Sequence, residues 1–192
     1  ATATKVSLYV LIRFYYSVFG ESLVFHRLPL PEIMLGLSLL AMFAASLIAI
    51  FQHDLKRMFA YSSVGQIGYI TLGISFDSVH GLTAAIVHLA NHGIAKAAIF
   101  LLIGCMALGV VRKGAVSSAP TFDRLHGLAR RMPLTCLGIV IGGLSLIGVP
   151  GTAGFISKWY LVLAAMEKGQ WWLAGAILAS SLLAVAYVWR FV

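Results

Sequence analysis

Charged residues are scarce in this sequence, and acidic residues are the scarcest. Only 10% of the 192 residues are charged, and six acidic residues stand against 14 lysines and arginines. All six acids lie in loops or at the edges of apolar runs: Glu21, Glu32, Asp54, Asp77, Asp123 and Glu167. A chain with so little charge and 60% hydrophobic residues lies outside the soluble globular range, which excludes a soluble enzyme.

Motifs for metal, cofactor or phosphate binding are also missing. Cys105 and Cys136 stand alone in apolar surroundings, without a CxxC pair, a Cys/His cluster or a glycine-rich phosphate loop. We therefore expect no disulfide, no metal, no cofactor and no covalent catalysis in this chain. A secretory signal is not visible either, because the first apolar run already contains Lys5 and Arg13.

Long apolar runs make up most of the chain. Mean hydropathy is +0.95, and six runs approach or exceed the roughly 20 residues that a helix needs to cross a bilayer. These runs are 1–18, 31–51, 58–75, 81–111, 133–165 and 171–192. They predict an all-α integral membrane protein, a polytopic bundle with a single transmembrane domain over residues 1–192. Because the sequence starts without Met and ends without a polar tail, we expect it to be a fragment of a longer protein.

Basic residues are distributed unevenly between the predicted loops. If the six runs alternate in direction, the loops 53–57 and 112–132 share one side of the membrane. The basic residues of these two loops are Lys56, Arg57, Arg112, Lys113, Arg124, Arg130 and Arg131. The other side carries only Arg27 and Lys168. The positive-inside bias then predicts that loops 53–57 and 112–132 are cytoplasmic, in what we expect to be a bacterial inner membrane. The net charge of +8 thus indicates topology and anionic lipid rather than nucleic acid.

Three groups that can carry a proton interrupt the apolar run 81–111. His88, His92 and Lys96 follow one another at four-residue intervals, so on a helix they share one face over about 12 Å. Ionisable groups at membrane depth are retained where they face a partner or a water-filled path. Histidine exchanges protons near neutral pH, so this column of side chains could pass protons along the helix. We expect its polar face to point toward a part of the protein outside these 192 residues.

A structural role is the alternative for each member of the column. A buried histidine commonly donates to a carbonyl group or to a neighbour such as Asn91. A lysine near a helix end commonly extends its ammonium group to the lipid headgroups. Lys96 lies at the middle of the run 81–111, too far from either end for such an extension, so for the three residues together the polar column is the preferred interpretation.

Helix-breaking residues precede a further lysine in the run 133–165. Gly148, Pro150, Gly151 and Gly154 lie within seven residues and cannot sustain a regular helix. Backbone freed at membrane depth is tolerated where it is buried in protein or lines a wet cavity, as in transporters. We therefore predict a discontinuous helix over 133–165, with Lys158 just after the break, where a hydrated half-channel could reach it. The alternative is that Lys158 is a cationic anchor at the membrane interface.

Lys5 is a third lysine inside an apolar run, and for it an anchoring role and a functional role are both open. No carboxylate lies inside an apolar run, so these buried cations have no acidic partner within the membrane in this sequence. Either another part of the protein or another subunit supplies one, or the lysines are neutral during part of a cycle.

Three long segments carry a resemblance to a known family. They are QHDLKRMFAYSSVGQIGY (52–69), HLANHGIAKAAIFLLIG (88–104) and MPLTCLGIVIGGLSLIGVPGTAGFISKW (132–159). The chain resembles the proton-translocating antiporter family. That family comprises antiporter-like membrane subunits of respiratory complex I (NADH-quinone oxidoreductase), related membrane-bound hydrogenases, and large subunits of Mrp-type cation/proton antiporters. The resemblance covers nearly the whole chain.

The resemblance implies a fold and a set of roles. Family members have about fourteen helices in two inverted five-helix repeats, each with a broken helix, and this chain would correspond to helices eight to thirteen, that is, to most of the second repeat. The implied proton path, with water chains between its members, consists of Lys5, His88, His92, Lys96 and Lys158. The implied partners are the other subunits of a multi-subunit membrane complex and the transported ions, H⁺ and, in an Mrp complex, Na⁺.

Within the family we favour the D-type large subunit of an Mrp Na⁺/H⁺ antiporter, because ATATKVSLYVLIRF and FDRLHGLARRMP look closer to that branch. The alternatives are a proton-pumping subunit of complex I or of a membrane-bound hydrogenase, and a non-conducting structural subunit. In the DLKR segment we interpret Asp54 as a helix N-cap and the two cations after it as cytoplasmic anchors. Ser62, Ser63 and Gln66 are interpreted as packing and hydrogen-bonding residues rather than proton carriers.

Overall fold

The computed structural model describes residues 3–111, 121–122 and 128–191, nearly all of which are helical. The helices are α1 (Ala3–Arg13), continued by a π-helical stretch (Phe14–Phe19), α2 (Glu21–His26), α3 (Leu30–Ile50), α4 (Leu55–Ser75), α5 (Val79–Val111), α6 (Leu128–Arg131), α7 (Pro133–Ile147), α8 (Ala153–Glu167) and α9 (Trp171–Trp189). This confirms the all-α prediction. The short α2 was not predicted. Of the basic loop 112–132, the stretches 112–120 and 123–127 lie outside the described residues.

Three of the described helices, α3, α5 and α9, are long and apolar enough on their own to cross a membrane. The 21-residue α4 is as long as α3, but it starts with two basic residues and contains serines, glycines and a glutamine. The run 133–165 is divided between α7 and α8, each of 15 residues. The predicted discontinuous helix is therefore confirmed, and each of the six predicted runs is mostly helical where the structure describes it.

Helix α4 lies at the centre of the bundle, between α3 on one side and α5 and α8 on the other. Small residues allow α3 and α4 to approach closely: a Cβ atom added to Gly68 would lie 2.7 Å from the Ser38 carbonyl oxygen. Helix α5 packs against α8 and α7, and α9 closes the bundle against α3 and α8. The broken pair α7 and α8 is thus held against α5, the helix that carries the polar column.

Large apolar side chains cover the outside of the bundle. Ile94, Leu101 and Leu108 recur every seven residues along α5, and each is at least 66% exposed. The opposite face of the same helix buries Ile99, Ile103 and the polar column. An apolar exterior around a polar interior is what a bilayer requires of a helix bundle.

Contacts between loops confirm which predicted loops share an end of the bundle. The Phe122 N–H donates to the His53 carbonyl oxygen at 3.4 Å, which joins the described part of loop 112–132 to loop 53–57. At the opposite end, His80 Nδ1 lies 2.6 Å from a Glu167 carboxylate oxygen, and a Lys168–Asp77 pair is 3.8 Å apart. The Asp54 side chain accepts a hydrogen bond from the Lys56 N–H at 2.7 Å, which confirms its N-cap role.

Candidate functional site

The break between α7 and α8 lies where the glycines and the proline predicted it. Helix α7 ends at Ile147, and Gly148 adopts a left-handed φ of 86°. The N–H groups of Gly148 and Val149 both donate to the Leu144 carbonyl oxygen, at 3.0 and 3.2 Å. Pro150 and Gly151 form the turn that follows. The chain therefore leaves the helix axis before α8 begins at Ala153, and the last carbonyl groups of α7 have no helical N–H partner.

Gly154 has a different role from the other residues of the break. It lies in the first turn of α8, where a Cβ atom would overlap the carbonyl oxygen of Ser145. The two half-helices therefore cross at a distance that only glycine permits. This crossing brings the open end of α7 beside the side chains of α8.

Lys158 occupies the open end of α7. Its Nζ donates to the carbonyl oxygens of Leu146 at 3.0 Å and Ile147 at 2.7 Å, and to Ser181 Oγ at 2.9 Å. The same nitrogen lies 4.5 Å from the centre of the Tyr69 ring. The residue is 6% exposed, so it is not extended to the bundle surface as an interface anchor would be. Three acceptors match the three N–H bonds of an ammonium group without any carboxylate.

The predicted column on α5 is present and buried. His88, His92 and Lys96 are 3%, 2% and 0% exposed. Their face points toward α4 and α8 of this chain, so the expectation that it points toward protein outside these residues was wrong. The reason is that α4 and α8 supply polar side chains that face α5, namely Gln66, Ser62 and Ser157, which the pattern of apolar runs does not reveal.

His88 is held at both ring nitrogens. Its Nδ1 lies 2.7 Å from Ser157 Oγ on α8, and its Nε2 lies 3.0 Å from Gln66 Oε1 on α4. The Gln66 amide nitrogen donates to the Leu146 carbonyl oxygen at 3.3 Å, which fixes the orientation of the amide. Because Gln66 Oε1 can only accept, the Nε2 of His88 carries a proton and Nδ1 is the nitrogen that gains or loses one.

His92 lies one turn further along α5. Its ring is stacked on that of His88, with centres 5.9 Å apart. Neither of its ring nitrogens has a hydrogen-bond partner among the described residues. Both histidines line a cavity of about 10 Å³ together with Gln66 and Ser145, close to the volume that one water molecule needs. Asn91 is not a partner of either ring, because its amide donates to the Ala153 carbonyl oxygen at 2.9 Å.

Lys96 is completely buried in the middle of α5. Its Nζ donates to the Phe59 carbonyl oxygen at 2.6 Å and to the Ser62 hydroxyl. The ring centres of Phe59 and Phe100 lie 5.0 and 5.9 Å away. This side chain is thus bound to α4 inside the bundle and does not extend to either membrane surface.

Lys5 joins the same region from α1. The residue is 8% exposed, and its Cγ would lie 3.9 Å from a Cβ atom added to Gly93, next to His92. His88, His92, Lys96 and Lys158 therefore lie within one buried zone, and Lys5 contacts the helix that carries three of them. No carboxylate binds Lys96 or Lys158 among the described residues, where the two ion pairs are those of loops 76–80 and 167–170.

Polar side chains of α4 lie between the two lysines. The Leu146 carbonyl oxygen accepts from both Gln66 and Lys158, which joins His88 to the break. Ser62, which binds Lys96, lies one turn before Gln66 on the same face of α4, and Tyr187 of α9 lies near both side chains.

Four polar residues of this zone were not predicted from the sequence: Ser157, Ser181, Tyr69 and Tyr187. Their signal in the sequence is weak, because each is an uncharged hydroxyl-bearing residue within an apolar run. Only Ser157 adjoins a charged residue, Lys158.

Known proteins are similar to this chain in both sequence and fold. Residues 1–184 match the family described as "NADH:quinone oxidoreductase/Mrp antiporter, TM". The chain is 38% identical over 190 residues to NADH-quinone oxidoreductase subunit N of Desulforudis audaxviator, which covers 99% of this chain and 36% of that protein. It is 35% identical over 135 residues to subunit M of Rickettsia prowazekii, covering 66% of this chain and 24% of that protein.

Two solved structures have the same fold. A chain of the Mrp complex from Dietzia sp. DQ12-45-1b superposes with a TM-score of 0.86 and 29% identity, over 98% of this chain and 33% of that one. A chain of the membrane-bound sulfane sulfur reductase, an archaeal respiratory membrane complex, superposes with a TM-score of 0.81 and 33% identity, over 97% of this chain and 36% of that one. The chain thus spans between about a quarter and just over a third of the length of these relatives. It is an integral membrane protein of the NADH:quinone oxidoreductase/Mrp antiporter family, whose relatives are subunits of multi-subunit membrane complexes.

Proposed function

We propose that this chain forms part of a proton path that runs through Lys5, His88, His92, Lys96 and Lys158. The observation that carries the proposal is the set of buried hydrogen bonds made by Lys96, His88 and Lys158, which involves four helices and contains no carboxylate in the described part of the chain. Buried polar groups without a partner are rare in structural networks, whereas both ring nitrogens of the buried His92 lack one among the described residues and could bind a mobile partner. Water in the small cavity beside the histidines would complete the path.

Electrostatic coupling would link the successive proton transfers along the path. In a low-dielectric site, a proton that arrives at one basic group disfavours a second positive charge nearby. A proton taken up at Lys158 would therefore promote release from the His88–Lys96 column, and release from the column would prepare it for the next proton. The lysines would be neutral in part of this cycle, which removes the need for a permanent acidic partner.

Two coupling reactions are candidates for the complex that contains this chain. A TM-score of 0.86 to a chain of an Mrp complex supports Na⁺/H⁺ exchange, with this chain in the D-type large subunit of an Mrp antiporter. A 38% identity over 99% of this chain to subunit N supports quinone-linked proton pumping in an NADH-quinone oxidoreductase. Proton flux that depends on Na⁺ selects the first, and flux that depends on quinone reduction selects the second.

The proposed location is a bacterial inner membrane, with loops 53–57 and 112–132 on the cytoplasmic side. The unequal distribution of basic residues between the two groups of loops supports this orientation. Trp171 and Trp172, 68% and 57% exposed at the start of α9, would then lie at the opposite interface.

The proposal is tested by replacing both histidines of the column. We expect His88→Ala/His92→Ala in the native complex, reconstituted in vesicles with a pH dye inside, to lose driven proton flux while the complex still assembles. The matched control is His53→Ala/His80→Ala, at the two ends of the bundle, which should retain flux. Wild-type flux in both double variants would identify the column as structural and favour a non-conducting subunit.

A further inference from the structure

Each of three ionisable groups in the network is hydrogen-bonded to one serine hydroxyl. His88 contacts Ser157 Oγ at 2.7 Å, Lys158 contacts Ser181 Oγ at 2.9 Å, and Lys96 contacts Ser62 Oγ. These serines lie on three different helices, α8, α9 and α4. The repetition of one arrangement at three sites points to a common task.

Each of these hydroxyls also reaches a carbonyl oxygen of its own helix. Ser157 Oγ lies 3.0 Å from the Gly154 oxygen, Ser181 Oγ 2.9 Å from the Ile177 oxygen, and Ser62 Oγ 3.0 Å from the Phe59 oxygen. A hydroxyl has one proton to donate and two lone pairs to accept with. It therefore cannot donate to the carbonyl oxygen and to the ionisable group at the same time.

Protonation of the ionisable group decides between the two orientations. When His88 Nδ1 carries a proton, it donates to Ser157 Oγ, and the hydroxyl proton points to the Gly154 carbonyl oxygen. When Nδ1 is deprotonated, its lone pair needs a donor, and the hydroxyl turns to supply one. The opposite ring nitrogen is fixed as a donor by Gln66 in both states.

The two lysines follow the same rule. A charged Lys158 donates to two carbonyl oxygens and to Ser181 Oγ, whereas a neutral Lys158 keeps two N–H bonds and turns a lone pair toward the serine. The Ser181 hydroxyl can then leave the Ile177 carbonyl oxygen and donate to Nζ. That carbonyl group keeps the hydrogen bond of its own helix, so no buried acceptor is left unbound. Lys96 and Ser62 have the same arrangement: Lys96 Nζ binds Ser62 Oγ, and this hydroxyl also reaches the Phe59 carbonyl oxygen.

We propose that the hydroxyls of Ser62, Ser157 and Ser181 are two-position switches that turn between a helix carbonyl oxygen and an ionisable group each time that group gains or loses a proton. This inference rests on the proposed proton path and adds positioning residues to it. The hydroxyl keeps its own proton and changes only its direction. Both protonation states of the buried group are thereby hydrogen-bonded, which reduces the penalty for an unpaired polar group in either state.

Matched serines exist in α4 and in α3. Ser63 donates to the same Phe59 carbonyl oxygen as Ser62, also at 3.0 Å, but binds no ionisable side chain among the described residues. The buried Ser38 donates to the Leu35 carbonyl oxygen at 2.7 Å with the same three-residue spacing as Ser157 and Gly154. These two serines share the helix contact but not the proposed switch.

The test measures driven proton flux in vesicles containing the native complex. We expect Ser62→Ala, Ser157→Ala and Ser181→Ala each to lower flux by about tenfold, from the size of a hydrogen bond to a charged group. Ser62→Cys and Ser157→Cys keep nearly the same side-chain size, but a thiol donates and accepts poorly, so both variants should behave like the alanine variants. Ser181→Thr keeps the hydroxyl and should retain flux, because residue 181 is only half-buried and can accommodate a methyl group. Ser63→Ala and Ser38→Ala should leave flux unchanged.

The outcomes separate this inference from the proton path itself. If the three alanine variants keep full flux while Lys158→Ala abolishes it, the path stands and the switches are refuted. Loss of flux in Ser63→Ala and Ser38→Ala to the same extent would also refute the switches, because any membrane serine would then suffice. If Lys158→Ala retains flux, the proton path fails, and the switches fail with it.

Discussion

The Nζ atom of Lys158 lies 2.7 Å from the carbonyl oxygen of Ile147, eleven residues earlier in the chain. In a continuous helix these two residues would be about 16 Å apart along the axis. The contact exists because α7 ends at Ile147 and Gly148 turns the chain away from the helix axis. The helix break is therefore what provides a buried lysine with acceptors at membrane depth.

The close crossing of the half-helices should be intolerant of any side chain at Gly154. We expect Gly154→Ala to lower the free energy of unfolding by about 2 kcal/mol, because a Cβ atom there overlaps the Ser145 carbonyl oxygen. Gly175→Ala in α9 is the control: a Cβ atom at Gly175 meets nothing within 4 Å, so this variant should be at least as stable as the wild type. Thermal unfolding of the detergent-solubilised complex compares the two, and equal melting temperatures would contradict the described crossing.

Buried Lys96 should reduce stability while it supports flux. We expect Lys96→Met to be as stable as the wild type or up to about 1 kcal/mol more stable, because an apolar side chain of similar length needs no desolvated charge. The same variant should lose driven proton flux. Lys56→Met, at the exposed start of α4, should keep flux. Thermal unfolding and flux are measured on both variants, and normal flux in Lys96→Met would show that this lysine is not part of the path.

Gln66 should matter through its two hydrogen bonds rather than through its size. Gln66→Leu removes the acceptor of His88 Nε2 and one donor to the Leu146 carbonyl oxygen, so we expect flux to fall by about tenfold. Gln52→Leu is the control, because the Gln52 side chain donates only to the Ile48 carbonyl oxygen among the described residues, at 3.2 Å near the exposed end of α3. Driven proton flux is measured for both variants. Wild-type flux in Gln66→Leu would show that the hydrogen bonds of Gln66 are not needed for the proton path.

The N-cap of α4 gives a prediction that does not depend on function. Asp54→Ala removes the acceptor of the Lys56 N–H and should cost about 1 kcal/mol of local stability, while Asp54→Asn should retain most of it. Hydrogen exchange of the first turn of α4 measures this difference. Identical protection in both variants would mean that the loop contact with residue 122, rather than the cap, holds this helix start.

Sequence reasoning was most successful where one residue type dictates the backbone. Gly148, Pro150 and Gly151 cannot continue a helix, so the break could be located to within a few residues. The four-residue spacing of His88, His92 and Lys96 likewise fixed their common face. Both results follow from local geometry, which needs no knowledge of the neighbouring helices.

The partners of these residues could not be predicted in the same way. That Ser157 faces His88, or that Ser181 faces Lys158, depends on how α8 and α9 are rotated against their neighbours. A serine in an apolar run commonly bonds to its own helix, as Ser63 does, so sequence alone does not distinguish Ser62 from Ser63. The direction of the polar face of α5 was mistaken for the same reason, since it is set by packing between helices.

Lys158 is the residue at which the proposed proton path is best tested, in the native complex reconstituted in vesicles with an internal pH dye. The control variant is Lys168→Ala, because the ammonium group of Lys168 pairs with Asp77 at the end of the bundle. We expect driven proton flux to be lost in Lys158→Ala and kept in Lys168→Ala, with both complexes fully assembled. Flux at the wild-type level in an assembled Lys158→Ala complex would contradict the proton path proposed for this chain.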